Sequence, residues 1–142
     1  MTNRTELNTN AKIKGNLCEA IVFYRCVKLG WKISIPYGDN CKYDFIVDKL
    51  DGTLHRVQVK SASRPEDKNF EVLAFPLETR NKQGYTPYTS NDIDAFIAVD
   101  LVTENIYWVP IQEAEGQRYF NLRLEGGKKN VSKTKWAKDY IL

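Results

Sequence analysis

The chain has little that would anchor it in a membrane, direct it to secretion or cross-link it. Its 142 residues contain no apolar run near the roughly 20 residues that a membrane-spanning helix requires. The opening segment, MTNRTELNTN, is polar and lacks the apolar stretch of a signal peptide. Three cysteines, Cys18, Cys26 and Cys41, are odd in number and form no CxxC pair, which argues against a disulfide framework or a zinc site. These absences predict a cytoplasmic protein without a membrane partner.

Composition and length are those of one ordinary globular domain. Hydrophobic residues make up 42% of the chain and charged residues 27%, and the length is sufficient to bury a core. No internal repeat, low-complexity segment or linker divides the sequence. We therefore predict a single domain over residues 1–142, in which residues 1–9 form a flexible tail.

Positive charge is concentrated at the C-terminal end. From Arg118 to Leu142 there are seven Lys/Arg and two Asp/Glu, a net charge of +5. The rest of the chain holds 14 basic and 16 acidic residues, a net charge of −2. Such asymmetry predicts an end that binds a polyanion, and nucleic acid is the polyanion that it suits most directly. The alternative is a solvated basic tail that binds nothing.

One amphipathic helix is predicted between Asn10 and Leu29. Its apolar residues recur at three- and four-residue spacing and form one stripe, the side that normally faces the core. The members of the stripe are Ile13, Leu17, Ala20, Tyr24 and Val27. Asn10 is a suitable N-cap for this helix, and Gly30 is a suitable residue to terminate it.

Patterns typical of strands follow the helix. The predicted strands are Trp31–Pro36, Tyr43–Asp48, His55–Ser61, Phe70–Phe75, Asp94–Asp100, Asn105–Ile111 and Arg118–Leu124. The Asp51-Gly52 pair predicts a hairpin turn between the second and third of them. The continuous apolar run after Asp94 is typical of a strand that is covered on both faces.

Two segments are harder to assign. Pro76 to Asp92 is polar and has no clear period, so it is either a long functional loop or a loop that holds a short helix. Ser132 to Tyr140 is typical of a short terminal helix that Ser132 caps. The elements together predict an α/β fold with an N-terminal helix, a mixed β-sheet and flanking helices.

Polar side chains lie where the predicted hairpin needs only apolar alternation. Gln58 and Lys60 project from one face of their strand, because successive side chains alternate between faces. The turn can bring Asp44, at the start of the neighbouring strand, close to both of them. Glu19 lies beside the apolar stripe of the helix and can face the same cluster. Taken singly, Asp44 could cap a loop and Lys60 could be an exposed strand residue, but the four together predict a catalytic site.

This set of side chains suits the hydrolysis of a phosphodiester. Oxygen ligands hold Mg²⁺ or Mn²⁺, which polarises the phosphate and acidifies a bound water. Asp44 is the expected principal ligand, with the amide oxygen of Gln58, the backbone carbonyl of Val59, and Glu19 acting directly or through a water. Lys60 is expected to orient or deprotonate the attacking water and to balance charge in the transition state.

The residues Glu19, Tyr43-Asp44 and Gln58-Val59-Lys60, on a helix followed by a three-stranded meander, resemble the PD-(D/E)xK nuclease superfamily. The segments KGNLCEA, PYGDNCKYDFIVD, RVQVKSAS and DIDAFIAVD are similar to its small, intron-associated endonucleases, whose core is related to that of archaeal Holliday junction resolvases. The resemblance covers roughly residues 12–142. It implies a restriction-endonuclease-like core. Tyr43 replaces the usual Pro, and Gln58 replaces the usual acid, which removes one negative charge from the metal site.

The resemblance implies a Mg²⁺-dependent, site-specific DNA endonuclease similar to homing endonucleases, with Mn²⁺ as a substitute for Mg²⁺. Its expected partners are double-stranded DNA and further copies of the chain, as a dimer or tetramer, because one protomer has one active site. A Holliday junction resolvase and a catalytically inactive DNA-binding module are the alternatives. Candidate DNA contacts lie in the polar segment and at the basic end: Arg80, Lys82, Gln83, Tyr85, Tyr88, Lys128, Lys129, Lys133 and Lys135.

Overall fold

The structure is a computed structural model that describes residues 10–38, 40–65, 71–81, 84–125 and 134–142. Several predicted features lie outside these ranges. They are the tail of residues 1–9, the helix cap Ser132, and the candidate DNA contacts Lys82, Gln83, Lys128, Lys129 and Lys133. The side chain of Arg80 is also outside the description, although its main chain is inside it.

The described ranges contain one long helix and nine strands. In chain order the elements are α1 (Ala11–Lys28), β1 (Lys32–Ser34), β2 (Phe45–Asp48), β3 (Leu54–Ala62), β4 (Glu71–Pro76), β5 (Glu78–Asn81), β6 (Gly84–Pro87), β7 (Ala95–Asp100), β8 (Asn105–Pro110), α2 (Ile111–Ala114), β9 (Tyr119–Glu125) and a 3-10 turn (Ala137–Asp139). Asn10 caps α1, since its Oδ1 accepts the N–H of Ile13 at 3.1 Å. Gly30 follows the helix with a φ of +84°, a conformation that glycine adopts without strain. The predicted bounds of the helix are therefore confirmed.

Five strands form a mixed sheet in the order β1-β2-β3-β7-β8. β3 and β7 pair in parallel, whereas the other neighbours pair antiparallel. The β2–β3 hairpin turns at Asp51-Gly52 as predicted, with Gly52 at a φ of +93°. All six residues of β7 are buried because α1 covers one face of the sheet and the β4–β9 pair covers the other. The predicted α/β fold, with its N-terminal helix and mixed sheet, is confirmed.

α1 buries a different side from the one predicted. Its buried residues are Cys18, Ile21, Val22 and Cys26, which pack against the sheet. The predicted stripe, from Ile13 to Val27, is on the exposed side instead. Both sets follow three- and four-residue spacing, so periodicity alone could not choose between them. Burial against the sheet also raises the pKa of the Cys26 thiol to about 11.

Two other predictions are corrected. Pro76 to Asp92 is neither an irregular loop nor a helix, because β5 and β6 pair as a hairpin within it. The C-terminal helix is a single 3-10 turn in the described residues. The bridges of Trp136 and Ile141 to β9 and β8 hold the chain extended on both sides of that turn, which leaves no room for a longer helix. No helix in the described ranges has the length and apolarity that crossing a bilayer needs.

Candidate active site

β3 extends past the N-terminal end of β2, and this difference in length creates a corner in the sheet. β2 begins at Phe45, which lies opposite Val57, and β3 continues beyond Val57 to Ala62. Asp44 fills the corner: its N–H donates to the Val57 carbonyl at 2.8 Å, and its Oδ2 accepts the N–H of Val59 at 2.8 Å. The carboxylate thus takes the place of the main-chain carbonyl that would accept the Val59 N–H if β2 continued. This hydrogen bond holds the carboxylate at a fixed position.

The Val59 carbonyl also faces this corner. The N–H and C=O of one strand residue point towards the same neighbouring strand, and the Val59 N–H points to Asp44. The side-chain nitrogen of Gln58 lies 3.5 Å from the Val59 carbonyl oxygen. The Gln58 amide, the Val59 carbonyl and the Asp44 carboxylate therefore meet at the N-terminal end of β2.

Glu19 approaches the corner from α1. It is half-buried, and burial raises the pKa of its carboxyl, with a further upward contribution from the negative charge of Asp44. Burial raises the pKa of Asp44 as well, while the Val59 N–H and the charge of Lys60 act in the opposite direction. Two partly desolvated carboxylates that repel each other make the corner electronegative.

Lys60 supplies a positive charge beside the carboxylate of Asp44. Its Nζ donates to the Glu78 carbonyl of β5 at 3.3 Å and lies 5.1 Å from the centroid of the Tyr88 ring. Burial lowers the pKa of Lys60, and the charge of Asp44 opposes that shift. The structure thus brings Glu19, Asp44, Gln58 and Lys60 to one region, at the point where β2 begins beside β3.

The oxygen groups of the corner fit a hard divalent cation. Asp44 uses Oδ2 for the Val59 N–H, and no described residue donates a hydrogen bond to its Oδ1. Within the described ranges there is no cluster of three His, Cys, Asp or Glu side chains that could hold a metal. The corner instead holds two carboxylates, Glu19 and Asp44, beside the neutral oxygens of Gln58 and Val59. Mg²⁺ commonly binds to one or two carboxylates and keeps several waters.

Tyr88 belongs to the corner and not to the protein surface. Its side chain is 7% exposed, and its ring packs edge-on against Phe96 and over the ammonium of Lys60. Its hydroxyl accepts a hydrogen bond from Thr79 at 2.5 Å. The predicted role as a DNA contact is therefore wrong for Tyr88, because a buried ring cannot reach a base. The sequence showed only an aromatic residue after Pro87 in a polar segment, which does not distinguish the two environments.

The β5–β6 hairpin carries Arg80 and Tyr85, two further candidate contacts of the polar segment. Tyr85 is 56% exposed on β6, and its main chain pairs with Arg80 on β5. The guanidinium of Arg118 lies 5.1 Å from the Tyr85 ring and 3.5 Å from the Glu78 carboxylate. Arg118 is the first residue of the basic end that was predicted to bind a polyanion. The hairpin that holds Lys60 through the Glu78 carbonyl of β5 therefore also presents, on β6, an exposed aromatic residue with a cation beside it.

Lys135 is partly engaged within the protein. Its Nζ lies 3.1 Å from the carboxylate of Glu113, which also accepts the Tyr140 hydroxyl at 2.6 Å. These partners hold the pKa of Glu113 below its usual value. Among the predicted basic contacts, Lys135 alone has a described side chain, and its charge is already paired.

Comparisons with known proteins give a matching family and matching solved structures. Residues 9–142 match the profile of a family described as PD-(D/E)XK endonuclease. The solved structure of a bacterial homing endonuclease, I-Ssp6803I, is similar to this chain, with a TM-score of 0.71 and 27% sequence identity. The alignment covers 93% of this chain and 88% of that one. No curated protein matches the chain.

Proposed function

The chain belongs to the PD-(D/E)XK endonuclease family, and we propose that it is a Mg²⁺-dependent enzyme that cuts double-stranded DNA at specific sites. The observation that carries the proposal is the meeting of Glu19, Asp44, Gln58 and Lys60 at the N-terminal end of β2. The site-specific mode is supported by the similarity to a protein whose solved structure is that of a homing endonuclease.

We assign the metal ligands to Asp44, the Gln58 amide oxygen, the Val59 carbonyl and Glu19. Mg²⁺ or its substitute Mn²⁺ would supply charge stabilisation and a more acidic bound water. Asp44 is suited to be the principal ligand because the Val59 N–H fixes one of its oxygens and leaves the other available. Glu19, whose pKa is raised by burial and then by the charge of Asp44, supplies the second carboxylate of the site.

Lys60 acts on the reacting phosphate. A partly desolvated ammonium stabilises the negative charge that grows on the phosphoryl oxygens more strongly than a hydrated one does. The Glu78 carbonyl and the Tyr88 ring hold it at one side of the corner, so little reorganisation is needed during the reaction. The same ammonium can hold the attacking water by a hydrogen bond.

The function is tested with purified protein on a supercoiled plasmid library and on a synthetic four-way junction, each in Mg²⁺ and in EDTA. We expect Mg²⁺-dependent breaks in the duplex library, and sequencing of the ends should place them at a recurring site. Faster cutting of the junction would favour the resolvase alternative. Binding to both substrates with no cleavage of either would identify a DNA-binding module and overturn the proposal.

Changing Gln58 to Glu is expected to tighten the binding of Mn²⁺ by about tenfold, because it adds a charged oxygen ligand to the site. Calorimetric titration of the protein with Mn²⁺, in the absence of DNA, measures the change. Gln58→Leu is the matched control and should weaken binding. Equal Mn²⁺ affinities for the wild type and both variants would remove Gln58 from the ligand set.

Changing Tyr88 to Leu is expected to slow single-turnover cleavage by about ten- to thirtyfold, because the desolvated contact that holds the Lys60 ammonium against its ring contributes about 2 kcal/mol at most. Tyr88→Phe keeps the ring and loses only the hydroxyl that accepts from Thr79, so it should cleave within about threefold of wild type. Thermal unfolding of both variants shows whether the fold persists. A Phe variant as slow as the Leu variant would assign the effect to the hydroxyl and contradict the ring contact.

A further inference from the structure

A small pocket opens beside the candidate active site, between the loop that precedes β2 and the β5–β6 hairpin. This side pocket has a volume of about 160 Å³. It is lined by Cys41 and Lys42 of the loop, by Thr79, Thr86 and Pro87 of the hairpin, and by Tyr88. Tyr88 is shared with the active site, because its ring also lies 5.1 Å from the Lys60 ammonium. The side pocket and the catalytic corner therefore meet at one aromatic side chain.

Lys42 sets the charge of the side pocket. Among the described residues that line it, Lys42 is the one cation and none is acidic. Its ammonium lies 3.2 Å from Oδ1 of Asp92, whose Oδ2 accepts the N–H and the hydroxyl of Thr89. In the described part of the chain, Asp92 is the one residue that pairs with this ammonium, so two of its three N–H donors remain for a ligand. The side chain is 55% exposed, which leaves it accessible to a molecule that arrives from solvent.

The size and polarity of the side pocket select a phosphate group as its ligand. Its volume is below the roughly 300–1,000 Å³ of pockets that hold drug-sized molecules. It is about five times the volume that one water takes in the liquid, which is sufficient for a phosphate. Lysine binds phosphate as a point charge. Thr86 lines the pocket as well, and threonine hydroxyls are among the groups that contact phosphate oxygens in protein–DNA complexes.

The side pocket lies where a neighbouring phosphate of the same DNA strand would lie. Lys42 is two residues before Asp44, so their Cα atoms are at most about 7 Å apart. Successive phosphates of one strand rise about 3.4 Å along the duplex axis, so a phosphate next to the one at the corner is within reach of the Lys42 side chain. We propose that the side pocket binds the backbone phosphate immediately next to the scissile phosphate, with Lys42 as its cation. The place of that phosphate on the strand rests on the proposed function, whereas the phosphate contact itself does not.

Binding of the full chain to a random-sequence duplex in EDTA, across a salt series, tests the contact without cleavage. Each phosphate contact contributes about 0.9 to the slope of log affinity against log salt concentration. Lys42→Met should make that slope shallower by about 0.9, so its loss of affinity should be about 3.5-fold larger at about 50 mM salt than at about 200 mM. Lys32→Met is the matched control: Lys32 is exposed on β1, opposite Asp48 at the far end of β2, and its variant should keep the wild-type slope. Equal slopes for the wild type and Lys42→Met, or the same change in both variants, would overturn the proposal.

Uncharged methylphosphonates, placed one at a time on either side of the scissile phosphate in the duplex site recovered from the plasmid library, locate the contact. At one of the two immediate neighbours, the change should weaken wild-type binding in EDTA by about tenfold and leave Lys42→Met unaffected, because that variant has already lost the contact. Equal losses for the wild type and Lys42→Met at both neighbours would show that the pocket holds neither phosphate. A protein that binds DNA but never cuts it would refute the proposed function, and the salt series would still decide the contact. Site-specific cutting by the wild type together with an unchanged slope for Lys42→Met would refute the pocket alone.

Discussion

Changing Lys60 to Met is expected to reduce single-turnover DNA cleavage on the order of 10³-fold while DNA affinity stays within a few-fold of wild type. Methionine keeps the side chain unbranched and all but one atom of its length, but removes the ammonium that faces Tyr88. Asp44→Asn should cause a loss of similar size, because the amide oxygen can still accept the Val59 N–H but no longer carries the charge that the metal needs. Rapid-quench cleavage in Mg²⁺ and equilibrium binding in EDTA separate the two effects.

Lys49→Met is a matched control for Lys60→Met. Lys49 is also a partly buried lysine over an aromatic ring, with its Nζ 3.7 Å from the centroid of Trp108, and burial lowers its pKa too. It lies in the turn after β2, at the opposite end of the hairpin from the corner. Its variant should therefore cleave at the wild-type rate. If Lys60→Met cleaved within tenfold of wild type, or if Lys49→Met lost as much activity, the corner would not be the catalytic site.

The convergence of Asp44 with Gln58 and Lys60 could be predicted because it depends on local chemistry. The Asp51-Gly52 turn fixes the hairpin, and strand alternation then decides which side chains share a face. The family resemblance that these residues suggested is confirmed by the match over residues 9–142. The hydrogen bond from the Val59 N–H to Asp44 could not be predicted. It forms because β2 begins only at Phe45, while β3 continues past the residue opposite Phe45.

The orientation of α1 and the environment of Tyr88 depend on tertiary packing and were therefore predicted wrongly. α1 has two apolar sides, and the compact side chains of Cys18, Val22 and Cys26 are the ones that lie against the sheet. The exposed side has the larger residues and the more regular spacing, which made it the better candidate for a core stripe by pattern alone. Tyr88 is buried because the β5–β6 hairpin returns it to Phe96 on β7, a contact that no local signal encodes.

Changing Asp100 to Ala is expected to lower the free energy of unfolding by about 3–5 kcal/mol, because it leaves Arg64 facing a buried site without its partner. Asp100 is 1% exposed at the end of β7, and its two oxygens accept from the Arg64 guanidinium at 2.7 and 2.6 Å. The Val102 N–H and the Thr103 hydroxyl also donate to it, so four hydrogen bonds are lost together. Urea unfolding measures the change. Lys135→Ala, which breaks an exposed pair with Glu113, should cost at most about 1 kcal/mol.

The Asp100 variant also separates stability from chemistry. Arg64 and Asp100 clamp the end of β3 to β7, beyond Lys60, and neither contacts the corner at Asp44. At a temperature where the variant is folded, cleavage per molecule should remain within a few-fold of wild type. The double change Arg64→Met with Asp100→Leu should recover much of the lost stability, since removing both charges leaves neither one buried without a partner. If the double variant were as unstable as Asp100→Ala, the hydrogen bonds to Val102 and Thr103 would account for the loss, and the ion pair would not be the stabilising feature of this end of the sheet.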